Sequence, residues 1–168
     1  VPLFAAANFD AGAGIAGTAL ASFAVGTASV VSVAGWLSDK FGRRPMVLAG
    51  LLISGTTTFV LGWCDTVPLL ITASVVAGVG AGILNPAQQA AVADVIGADR
   101  AGGKVLATFQ MASDSGAILG PVVVGLVVDR LGYTVGFAVS GALLLAAAVP
   151  WVLARDTNRP AKDPEVAR

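Results

Sequence analysis

Apolar residues fall in five long blocks along this chain, and the charged residues cluster between them. Uncharged runs cover Ala11–Ser38, Pro45–Cys64, Thr66–Ala93 and Leu131–Ala154, and a fifth stretch, Val105–Val128, is interrupted only by Asp114. Each is about twenty residues or more, enough to cross ~30 Å of hydrocarbon at ~1.5 Å per helical residue. An Asp near mid-bilayer costs ~2.5–3.5 kcal/mol. The apolar residues flanking Asp114 return on the order of −5 kcal/mol together, so this segment inserts as well. The pattern predicts an all-α, polytopic membrane helical bundle, with helices over about 11–38, 45–64, 66–95, 104–128 and 131–154. Residues 1–154 form the transmembrane domain and residues 155–168 a polar tail.

Composition supports this reading. The 168 residues are 56% hydrophobic and 12% charged, against about 25% charged in a soluble domain. Ten basic and ten acidic residues give a net charge of zero, which argues against a nucleic-acid partner. There is no His and one Cys, Cys64, so neither an intrachain disulfide nor a cysteine metal cage is expected. No metal or cofactor is expected. The distribution of charge is more informative than its sum. Lys40, Arg43, Arg44, Arg100, Lys104, Arg155, Arg159, Lys162 and Arg168 fall on one side of the spans, and only Arg130 on the other. The positive-inside rule makes the first–second loop, the third–fourth loop and the tail cytoplasmic. The opening VPLFAAANFD has no initiator Met and no basic leader. It reads as the end of a helix, and the chain as part of a longer protein.

Gly35-Trp36-Leu37-Ser38-Asp39-Lys40-Phe41-Gly42 recurs in weaker form as Gly125-Leu126-Val127-Val128-Asp129-Arg130-Leu131-Gly132, about 90 residues later. Three spans separate the copies, so they have opposite topology, as in the inverted repeats of secondary transporters. Extended through Arg43-Arg44-Pro45, the first copy resembles the signature loop of the major facilitator superfamily, G-x-L-[A/S]-D-[R/K]-x-G-[R/K]-[R/K]. The resemblance implies five of the six helices of one half of a twelve-helix transporter, itself a 3+3 inverted repeat. Gly78 is preceded four residues earlier by Ser74, where an N-terminal half usually carries Arg. With the short tail, this favours the C-terminal half. Against it, Gly116-x-x-x-Gly120-Pro121-x-x-x-Gly125 resembles the glycine–proline motif in the fifth helix of drug antiporters, with Val124 replacing a usual Gly.

The resemblance also assigns roles. Asp39 would face the start of a helix in the opposite half, and Arg43 and Arg44 would reach Asp94 at the foot of the third span. Together with Gly35, Lys40 and Gly42 these residues form a conformational latch. The plainer alternative makes Lys40, Arg43 and Arg44 topology anchors. Asp114 and Asn85 lie about 15 Å deep on neighbouring spans, with Gln110, Gln88 and Gln89 one turn away. These five polar residues are the candidate cavity, with Asp114 as a proton carrier; the other reading is a structural Asp bonded across helices. Pro86 and Pro121 either break the helical ladder where it lines a cavity or only kink it. Gly78/Gly82, Gly116/Gly120 and Gly132/Gly136 suit close helix approach. Trp36, Trp63 and Trp151 suit the membrane interface. Gly12-x-Gly14-x-x-Gly17 matches a dinucleotide fingerprint but lies in an apolar span, without the strand that such a site needs.

The expected function is alternating-access secondary transport, with proton-coupled export of a small molecule or drug placed first. Nutrient or metabolite uptake follows, and a non-transporting membrane subunit is the alternative of another class. The chain is not expected to be an enzyme. Expected partners are the lipid bilayer of the plasma membrane, a small-molecule substrate, protons as coupling ion and the missing half of the transporter.

Overall fold

A computed structural model describes residues 12–96 and 102–154. The predicted tail, Arg100 and the opening segment lie outside the described residues. All of the elements are helices: α1 (Gly12–Phe41), α2 (Arg43–Leu61), α3 (Val67–Ile96), α4 (Gly102–Leu131), α5 (Tyr133–Ala146) and α6 (Ala148–Leu153). The first four, and α5 with α6 as one segment, give five spans long and apolar enough to cross a membrane.

The helices run further than the uncharged blocks. Asp39, Lys40, Arg43, Arg44, Asp94, Lys104, Asp129 and Arg130 all lie within helical turns. Backbone hydrogen bonding does not stop where charge begins, because long polar side chains at a span end reach back to water. Two glycines do stop it. Gly42 (φ 103°) and Gly132 (φ 86°) hold positive φ between successive helices, a conformation that strains any L side chain. The second span is shorter than predicted, ending at Leu61. There Trp63 and Cys64 donate their N–H groups to Val60 and Leu61 at 2.9 and 3.2 Å in a tight turn. Cys64 is buried beneath Ala19, Leu61 and Leu70. Burial first, and then the charge of Asp65, pushes its thiol pKa up. The fifth span is jointed at Ala147, where Pro150 has no N–H to offer the carbonyl of Ala146. Pro86 and Pro121, by contrast, sit inside unbroken helices. Each proline forgoes one helical bond, to the carbonyls of Gly82 and Ala117.

The repeat is built into the backbone. Helices α1 and α4 are each 30 residues long and begin ninety residues apart, at Gly12 and Gly102. Gly42 and Gly132 keep the same offset and the same conformation. The core is formed by α3 lying against α1 and α2, with α2 in turn against α5. Small residues set these seams. A Cβ on Gly26 would collide with the carbonyl of Val75, one on Gly78 with that of Phe23, and one on Gly82 would lie 2.7 Å from the carbonyl of Thr27. Thr27 Oγ1 also donates across this seam to the carbonyl of Gly78 at 3.0 Å. Gly116 and Gly120, expected to pack in the same way, meet nothing within 4 Å among the described residues. Helix α4 touches mainly α5 and leaves nearly its whole length exposed.

Candidate functional site

The loop motif folds into a charged fork at one end of the bundle. Gly42 ends α1 by a turn in which its N–H donates to the carbonyl of Ser38 at 3.1 Å. Helix α2 then starts at once with Arg43. This brings the Arg43 guanidinium back over the last turn of α1. It donates to Asp39 Oδ1, to Ser38 Oγ at 3.2 Å, and through Nε to Asp94 Oδ2 at the end of α3, at 3.0 Å. The Arg43 side chain is 13% exposed, against 67% for Asp39 and 30% for Asp94. One cation therefore ties together the ends of three helices, in a partly dry site where charge-assisted bonds are strongest. Lys40 lies on the outer side, 4.9 Å above the Trp36 ring and 5.6 Å from that of Phe41.

Arg44 differs from the expectation. It does not join Arg43 on Asp94; it donates through Nε to the carbonyl of Trp151 at 3.0 Å and through Nη2 to that of Val152, at the end of α6. Both arginines sit at the positive end of the α2 dipole, an unfavourable place for a cation. Arg43 is compensated by carboxylates, Arg44 by the negative end of another helix. Sequence reasoning missed Trp151 and Val152 because carbonyl acceptors carry no side-chain signature, and these lie more than a hundred residues away. Ser38, fully buried beneath the guanidinium, was likewise seen only as part of the motif.

The candidate cavity residues lie on α3 and α4. Asp114 is twelve residues after the start of α4 at Gly102, and Asn85 eleven before the end of α3 at Ile96, so each lies ~17 Å along its helix. Asn85, Gln89, Gln110 and Asp114 are exposed and Gln88 is half-buried. None of the five has a hydrogen-bond partner among the described residues. The cross-helix bond that a structural Asp114 would need is absent among those residues. Gly14 and Gly17 lie within α1, not at the strand-to-helix turn of a dinucleotide site.

The family model of the Major Facilitator Superfamily matches residues 1–168. The chain is 36% identical over 129 residues to an uncharacterized MFS-type transporter of Schizosaccharomyces pombe, covering 76% of this chain and 29% of that protein. It is 28% identical over 150 residues to Multidrug resistance protein 1 of Bacillus subtilis, covering 89% and 38%. It is also 28% identical over 145 residues to a chloramphenicol resistance protein of Acinetobacter baumannii, covering 86% and 34%. The chain thus spans about a third of the length of these curated relatives. With five membrane-length helices and the charged fork of the signature loop, the chain belongs to the major facilitator superfamily, an integral membrane protein of a transporter family and not an enzyme.

Proposed function

We propose that this chain is one half of a secondary transporter that exports a small molecule or drug in exchange for protons. The observation that carries the reading is the Arg43 fork between Asp39 and Asp94. It is a reversible ionic closure at one end of a helical bundle, where a few kcal/mol decide between two states. The excess of basic residues at that end makes it the cytoplasmic end. The relatives named for drug resistance support export, and the partial glycine–proline motif of α4 agrees. The cavity would lie level with Asp114 and Asn85. A carboxylate at that depth, with Asn85 level with it, is suited to carry a proton between the two sides.

The repeat supports an incomplete bundle. Helices α4 and α5 correspond to α1 and α2, but α3, which covers α1 and α2, has no counterpart over α4 and α5 among the described residues. A cavity of about 340 Å³ opens there, lined by Pro121, Val124, Val128, Tyr133 and Phe137. A sixth helix of the half fills this groove, and the opposite half faces the latch.

The test is flux in proteoliposomes holding the full-length transporter, with an imposed pH gradient and chloramphenicol as probe. Uphill movement driven by the gradient is expected, and Asp114→Asn should abolish the pH dependence. Flux indifferent to the gradient would remove proton coupling, and movement in the opposite sense would favour uptake. Binding without flux would make this a membrane interaction subunit.

A further inference from the structure

We propose that Arg44 and Thr134 are paired positioning residues that clasp α2 to the α5–α6 span at both ends, so that the two move as one strut during transport. At the latch end Arg44, the second residue of α2, donates to the carbonyls of Trp151 and Val152. At the opposite end Thr134, the second residue of α5, donates through Oγ1 to the carbonyl of Gly62, just past α2, at 3.0 Å. Thr134 stands ninety residues after Arg44, and Val152 ninety after Gly62. The two contacts are therefore one contact, made twice by the repeat: each helix start holds the other helix's end.

Each clasp suits its surroundings. Gly62 admits Thr134 closely, since a Cβ there would lie 3.0 Å from the Thr134 Cα and carbonyl oxygen. Between the clasps, Gly55 lies against Leu145 and Gly141 against Phe59, which leaves little room for the helices to slide. The latch end needs the stronger hold. Helix α6 lies beyond the joint at Ala147 and is only six residues long. Its free terminal carbonyls take a charged, two-pronged donor, which Arg supplies and Lys, a point charge, does not. Holding the first turn of α2 against α6 also fixes the direction in which the neighbouring Arg43 reaches Asp39 and Asp94. Arg44 thereby acts on the latch through Arg43.

The consequence for transport rests on the proposed function above; the clasp itself does not. The experiment uses the full-length protein in nanodiscs, free of other cysteines, with spin labels at the exposed positions Leu52 and Val149, and a second pair at Val60 and Val135. Arg44→Gln should widen the Leu52–Val149 distance distribution about twofold and slow transport about three- to tenfold. Arg44→Lys, which keeps the charge, should restore less than half of either change. Thr134→Val should widen the Val60–Val135 distribution. Unchanged widths in Arg44→Gln, or full rescue by Arg44→Lys, would overturn the proposal and leave Arg44 a topology anchor. A wild-type protein without flux but with narrow distances that widen in Arg44→Gln would instead remove the transport reading and retain the clasp.

Discussion

Arg43 carries the charge chemistry of the latch at a single guanidinium. Its bond to Asp94 crosses between helices, whereas its bond to Asp39 reaches back along the chain to the preceding helix. Losing the first frees the start of α2 from the end of α3, which stay packed along their length; losing the second only loosens a turn. With Asp94 30% exposed, the pair is worth about 1 kcal/mol, roughly fivefold in the balance between closed and open states. Asp94→Asn in the full-length protein should shift that balance toward the open state by this factor, measured as faster alkylation of a cysteine placed in the cavity. Gly42 and Gly132 are limiting in a different way. Replacing either by Ala costs about 1–2 kcal/mol because an L side chain must take up positive φ. Gly17→Ala, within α1 and with open space around it, should be neutral or slightly stabilising. Melting of the detergent-solubilised protein separates the three variants.

At the scale of elements, α1 and α3 form the closest pair in the bundle. Gly26, Gly78 and Gly82 bring carbonyls to the distance at which no methyl fits. Gly78→Ala should therefore force the helices apart and cost about 1–3 kcal/mol, read as loss of folded protein on size-exclusion chromatography and a lower Tm. The existence of these helices was legible from twenty-residue apolar runs, since a bilayer admits few other backbones. Their ends were less legible. Charge marks where a segment leaves hydrocarbon, but helical hydrogen bonding continues through Asp39 and Lys40 until Gly42 interrupts it. Of the three glycine pairs singled out by spacing, only Gly78/Gly82 lines a seam throughout. Gly116/Gly120 faces open space and Gly132 makes a turn, because spacing identifies a thin helix face and not the neighbour that covers it.

For the molecule as a whole, the organising fact is a ninety-residue repeat with one member unmatched. Helix α4 exposes Met111, Ile118 and Leu119 at 61–70%, although its counterpart α1 is held tightly by α3. On the proposed reading as one half of a transporter, a sixth helix covers the groove along α4 beside Pro121, Val124 and Val128. Gly125→Leu, which lines that groove and meets nothing within 4 Å here, should then lower Tm and transport together. A neutral outcome would mean that this face meets lipid.

The sequence alone determined the class of the molecule, its spans, the repeat and the fork motif. These depend on properties local in the chain: apolar length against bilayer thickness, and charged residues confined to short loops. The latch carboxylates were also legible, because Asp39 lies in the motif and Asp94 ends the span that resemblance pairs with it. Only the tertiary structure decided how the two arginines divide. Arg43 and Arg44 are adjacent, equally charged and equally placed by the motif, yet a helix start points successive side chains about 100° apart. One therefore meets the carboxylates of α1 and α3, and the other the carbonyl end of α6.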